Sequence, residues 1–186
     1  MRKKLRLAFS GLAVVPVIIA ATAGCSSSPS LSVTSSAFAD KASIPANYTC
    51  AGENISPPLS WSDVPQGTQS FAIIVDDEDA VVSGRQSPNN YTHWVMYNIP
   101  PSINHFDEGM PTTEQLAQGI QGTNDAGTIG YSGPCPPPGQ LHHYRFTVYA
   151  LNNTLSLGAG ATRQDLLTAM YSHVLAAGQL VGTYQS

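Results

Sequence analysis

Apolar and polar positions group into four stretches that read as strands. Ser70–Val75 (SFAIIV) is a short, β-branched apolar run that stops at four consecutive acids, which suits a buried strand. Tyr91–Ile99 (YTHWVMYNI) is aromatic and β-branched and ends at Pro100-Pro101. Tyr144–Leu151 places Tyr144, Phe146, Val148 and Ala150 on one face and Arg145, Thr147 and Tyr149 on the other. Leu180–Tyr184 is a weaker final strand, and a first strand is expected near Leu31–Phe38. One helix fits between the last two strands. Thr162 and Asp165 form a capping box, Leu166, Met170 and Val174 recur every four residues with Leu167 and Leu175 widening the stripe, and Gly178 supplies the stop. Strands separated by Gly/Pro-rich turns, with one helix, predict a mainly β sandwich with a helix packed against it.

Asn104–Leu141 has no sustained period and contains seven glycines and five prolines. A loop this long in one domain usually serves function, and its glycines allow close backbone approach to a ligand. A purely structural crossover is the alternative.

The amino terminus reads as an address. Met1–Arg6 is basic, Leu7–Ala21 is mostly apolar, and small residues lead to Cys25. The apolar run is short for a membrane span. Thr22-Ala23-Gly24-Cys25 resembles the bacterial lipobox. The resemblance implies a signal peptide over residues 1–24, thioether-linked lipid on Cys25, export, and anchoring to the bacterial membrane or envelope. Residues 25–36 contain seven serines after Cys25 and are expected to form a tether whose end can enter the first strand. The folded domain is then expected over residues 37–186.

Composition narrows the function. Charged residues make up 11% of the 186, against roughly 25% in an average soluble protein, and apolar residues make up 42%. Beyond the basic leader, Lys41, Arg85, Arg145 and Arg163 face twelve acids, a net charge of −8. So acidic a body excludes nucleic-acid binding driven by counterion release.

Three clusters carry the candidate chemistry: Asp76–Ala80 at a strand end, Thr92–Val95 within a strand, and Gly133-Pro134 through Tyr144 at a loop-to-strand junction. With Tyr48–Trp61 (YTCAGENISPPLSW), His93–Pro100 (HWVMYNIP), Gly130–Gly139 (GYSGPCPPPG), His142–Leu151 (HHYRFTVYAL) and His173–Tyr184, they resemble the phosphatidylethanolamine-binding protein family, which includes the Raf kinase inhibitor proteins. The similarity is closer to its bacterial branch. It implies a large sheet packed on a smaller one with peripheral helices, and a small anion pocket without catalysis or cofactor. The pocket maps onto Asp77, Asp79, His93, Gly133, Pro134, His142 and Tyr144. Protonated His93 and His142, with the backbone N–H near Gly133, would donate to a phosphate or phospholipid headgroup, while Asp77 and Asp79 hold the rings. A kinase or protease partner is the alternative the resemblance allows.

Two departures stand out. The family's Asp-Pro-Asp-Ala-Pro reads Asp77-Glu78-Asp79-Ala80-Val81, and its usual arginine in the third motif is His143. Two histidines and two carboxylates would also suit a metal, but no dense ligand signature is present. Gly130-Tyr-Ser-Gly133 lacks the spacing of a nucleophile elbow, which weakens a hydrolase reading. With Cys25 acylated, Cys50 and Cys135 are the remaining thiols of an exported domain, and a disulfide between them is expected.

Overall fold

The computed structural model describes residues 29–82, 85–86 and 90–186. The expected signal segment, Cys25 and the start of the tether lie outside them. In chain order the elements are β1 (Ser32–Thr34), a 3-10 turn (Ala46–Tyr48), β2 (Leu59–Ser62), β3 (Ser70–Asp77), β4 (Val81–Val82), β5 (Arg85–Gln86), β6 (Tyr91–Ile99), β7 (His105–Phe106), β8 (Gln115–Leu116), β9 (Gly119–Gln121), β10 (Leu141–Leu151), α1 (Arg163–Met170) and β11 (Val174–Gln185).

A six-stranded sheet runs β11-β10-β3-β6-β9-β8, and a three-stranded sheet runs β1-β2-β7. Every residue of the central β3 is buried, because both faces of the large sheet are covered. Phe71, Ile73 and Val75 pack with Trp94, Phe146 and Val148 toward Trp61 and Phe106 of the small sheet. Ala72 and Ile74 pack on the other face with Val95, Tyr97, Leu166 and Met170. This is the expected sandwich, with the helix against its outer face.

The helix starts as expected. The Asp165 N–H donates to Thr162 Oγ1 and the Thr162 N–H to Asp165 Oδ2, closing a capping box. It stops eight residues in, at Met170, rather than near Gly178. Val174 is exposed, so the four-residue recurrence breaks there, and Val174–Gln185 instead pairs along β10. Gly178 sits opposite Val148 in that ladder, and a Cβ on it would lie 2.2 Å from the Leu31 carbonyl oxygen. Tertiary pairing overrides the local helical pattern.

The expected tether also ends earlier than residue 36. The Leu31 N–H donates to Ala177 O at 3.2 Å, and Leu31 and Val33 are buried in the core while β1 pairs β2. Two apolar residues at period two are enough to draw this serine-rich segment into the small sheet.

The long segment Asn104–Leu141 contributes short strands. β9 pairs β6, and buried Gln121 on it accepts from Trp94 Nε1 at 2.7 Å while donating to Pro111 O and Thr113 O. Asn124 pins the following turn through Thr128 and the Gly130 carbonyl. The loop is held by buried amides that satisfy its backbone.

Candidate functional site

The end of β3 and the starts of β6 and β10 meet the 130–140 loop around a cavity of about 440 Å³. Its walls include Asp77, Tyr91, His93, Gly133, Gln140 and His142. The volume is in the range of small-molecule sites.

His93 arrives by a bulge. Val75 pairs Trp94 and Asp76 pairs Thr92, so His93 between them is unpaired in the ladder. Bulges of this kind re-aim a side chain near functional sites. The ring packs against Tyr91 at 5.0 Å and edge-on to Tyr144 at 5.2 Å. Its Nδ1 lies 2.6 Å from the Ser132 carbonyl oxygen. A carbonyl only accepts, so Nδ1 carries the hydrogen and Nε2 offers a lone pair. Burial pushes the His93 pKa down from its ordinary 6.5, outweighing the Ser132 carbonyl and the carboxylates of Asp77, Asp125 and Asp76. In its neutral form His93 therefore presents an acceptor to the cavity, whereas the sequence reading expects a protonated donor there.

His142 donates from Nδ1 to Asp77 Oδ2 at 2.7 Å, and its Nε2 faces the Gln140 side-chain oxygen at 3.3 Å. Asp77 Oδ1 also accepts the Asp79 N–H at 2.9 Å. The carboxylate thus fixes the His142 ring, as expected. Asp79 does something else. Its Oδ2 accepts both the backbone N–H and the ring Nδ1–H of His143, at 2.8 and 2.7 Å. Partial burial raises the Asp79 pKa, but these bonds and the nearby imidazoles outweigh it and bring the net value below the ordinary one. His143, where the family usually has arginine, therefore anchors the turn whose prolines are missing.

Gly133 lines the cavity, but its N–H is already given to Asn54 Oδ1 at 2.7 Å. A Cβ there would lie 2.5 Å from the Tyr48 carbonyl oxygen, so the position needs glycine to pack on the 3-10 turn. Pro134 acts behind the wall, its carbonyl accepting the Cys50 N–H at 3.0 Å. Tyr144 lies opposite Asp77 in the ladder, and its buried hydroxyl has no partner among the described residues. Burial, then the nearby Asp77 charge, raises its pKa. Cys135 is part of the cavity wall, and its sulfur lies at bonding distance from that of Cys50, with Cα atoms 5.4 Å apart.

Asp77, His93, Gly133 and His142 thus converge on one cavity, with Asp79, Pro134 and Tyr144 in support. Sequence reasoning missed Asn54 and Gln140. Asn54 lies within a quoted motif, whereas nothing local marks Gln140.

Two antiparallel sheets with a histidine–carboxylate cavity at one end of the larger define the class of fold. The family model described as phosphatidylethanolamine-binding protein matches residues 34–185. The chain belongs to the phosphatidylethanolamine-binding protein family. A UPF0098 protein of Methanothermobacter thermautotrophicus is 49% identical over 151 residues, which is 80% of this chain and 95% of the relative. The crystal structure of a putative phosphatidylethanolamine-binding protein homologue from Chlamydia trachomatis matches with a TM-score of 0.76 at 42% identity, covering 86% of this chain and 99% of the other. YbcL of E. coli, described as a new member of the mammalian family, matches at 0.75 and 29%, covering 84% of this chain and 98% of its own.

Proposed function

We propose that the domain is a non-catalytic binding module whose cavity takes a compact phosphate-type anion, free or as a lipid headgroup. The observation that carries this reading is the convergence of His93, His142 and Asp77 on a cavity of about 440 Å³. Few fixed polar groups in an otherwise apolar, proline-rich wall are what a small-ligand site requires. No guanidinium or ammonium lines the cavity among the described residues, so binding is weak and strengthens in acid. The lipobox-like sequence supports presentation of this module at a membrane through lipid on Cys25. In the Cys25→Ala variant, acyl labelling and membrane retention should both be lost.

The ligand reading is tested by thermal unfolding with inorganic phosphate and with phosphoethanolamine at pH 5.5 and 8. Melting temperature should rise with ligand concentration, more at pH 5.5, and His142→Ala should abolish the rise. A melting temperature indifferent to both ligands at both pH values refutes the reading.

A further inference from the structure

We infer that the cavity selects an anion that brings its own hydrogen, a singly protonated phosphoryl group, whose O–H donates to His93 Nε2. This inference rests on the anion-binding reading and specifies the ligand's protonation state. Three facts lead to it. The His93 Nδ1–H is committed to the Ser132 carbonyl, so the nitrogen left for the cavity is an acceptor. The Gly133 N–H is committed to Asn54, so it is not the donor for the ligand that the sequence suggests. Finally, Asp77 contributes a carboxylate to the same wall.

A fully deprotonated oxyanion would set oxygen lone pairs against the Nε2 lone pair and a negative charge beside Asp77. One hydrogen on the ligand turns the first contact into a bond and halves the charge opposing Asp77. The groups around His93 are Asp76 and Asp77 from β3, Asp125 from the loop, Tyr91 from β6, and Tyr144 and His142 from β10. Its carboxylate neighbours favour imidazolium, and burial disfavours it more strongly.

The experiment is calorimetric titration of the domain with methyl phosphate, methylphosphonate and methanesulfonate at constant ionic strength from pH 5 to 8.5. Methyl phosphate should weaken tenfold per pH unit once its second proton, with a pKa near about 6, is lost. Methylphosphonate keeps that proton to higher pH, so its fall should begin correspondingly later. Methanesulfonate, with the same shape but no proton, should bind at least about tenfold more weakly at pH 5.5, since a site built for a hydroxyl rejects analogues lacking it. In His93→Gln, whose amide can also donate, the preference over sulfonate should shrink to within about threefold.

A common pH midpoint for the phosphate and phosphonate would place the proton on the protein and overturn the inference. So would sulfonate binding as tightly as phosphate. Failure of all three anions to bind at any pH would instead overturn the anion-binding reading, and this inference with it.

Discussion

Asp76 and Asp77 are neighbours on β3, each 4% exposed, yet they belong to different worlds. Asp76 faces the helix side. It accepts from Arg145 Nε and Nη2 at 3.0 and 3.2 Å, from Arg163 Nη2 at 3.3 Å and from Asn90 Nδ2 at 3.1 Å. Asp77 faces the cavity and is held by one backbone N–H and one imidazole. Arginine is charged at any biological pH, so the first carboxylate is neutralised permanently. The second is held by a single imidazole and opens onto the cavity, with no arginine beside it among the described residues. The strand alternation alone separates a structural ion cluster from a binding site.

The sharpest way to break this comparison is to remove each carboxylate. Asp76→Ala leaves Arg163 without its carboxylate and Arg145 with only Glu78, and should destabilise by about 3 kcal/mol, the lower end for such pairs because both arginines reach solvent. In thermal unfolding that is a drop of about 6–12 °C. Asp77→Asn should cost about 1 kcal/mol and abolish stabilisation by phosphate. Equal destabilisation by the two changes would erase the distinction.

A second, smaller effect concerns the cavity side alone. Cys135 is part of the cavity wall, so a Cys50–Cys135 bond would tie the loop to the 3-10 turn while leaving the Asp76 cluster untouched. The intact, non-reduced domain should be two hydrogens lighter by mass spectrometry than after reduction. Cys50→Ser with Cys135→Ser should cost about 2 kcal/mol and weaken phosphate binding. Unchanged mass on reduction would show that the thiols are free.

The smallest effect is a pH slope. Because burial lowers the His93 pKa in the folded state, the unfolded chain takes up this proton first. The contribution is fully present above about pH 6.5 and is lost as pH falls below it. Wild-type stability should fall by up to about 1 kcal/mol between pH 6.5 and 5.5, and His93→Asn should flatten that segment. Identical slopes in the two proteins would show that His93 is protonated as readily folded as unfolded. Asp79, lowered rather than raised overall, loses its contribution only under more acid conditions, so the windows are distinct.

Much of this arrangement was legible in the sequence. The apolar runs gave the main strands, and motifs spread along the chain gave the family and the cavity residues. What stayed hidden depends on partners distant in sequence. Nothing near Asp76 announces Arg163, 87 residues away, so four acids in a row look alike. Gly133 reads as a ligand-facing N–H until Asn54, 79 residues earlier, is found to occupy it. The tautomer of His93 follows from a bulge and a carbonyl that no local pattern encodes. The local pattern overextends the helix because Val174 continues its spacing, while the need of β10 for a partner is invisible locally.

The contact between Leu31 and Ala177 joins nearly the first described residue to the last strand. During synthesis, the small sheet cannot dock its leading edge until the carboxy-terminal strand has left the ribosome. At about 5–20 residues per second, that delay is on the order of ten seconds. Throughout it, the Leu31 N–H lacks its Ala177 partner, although β1 already has β2 to pair with. A contact spanning almost the whole domain raises its contact order, and so slows its folding.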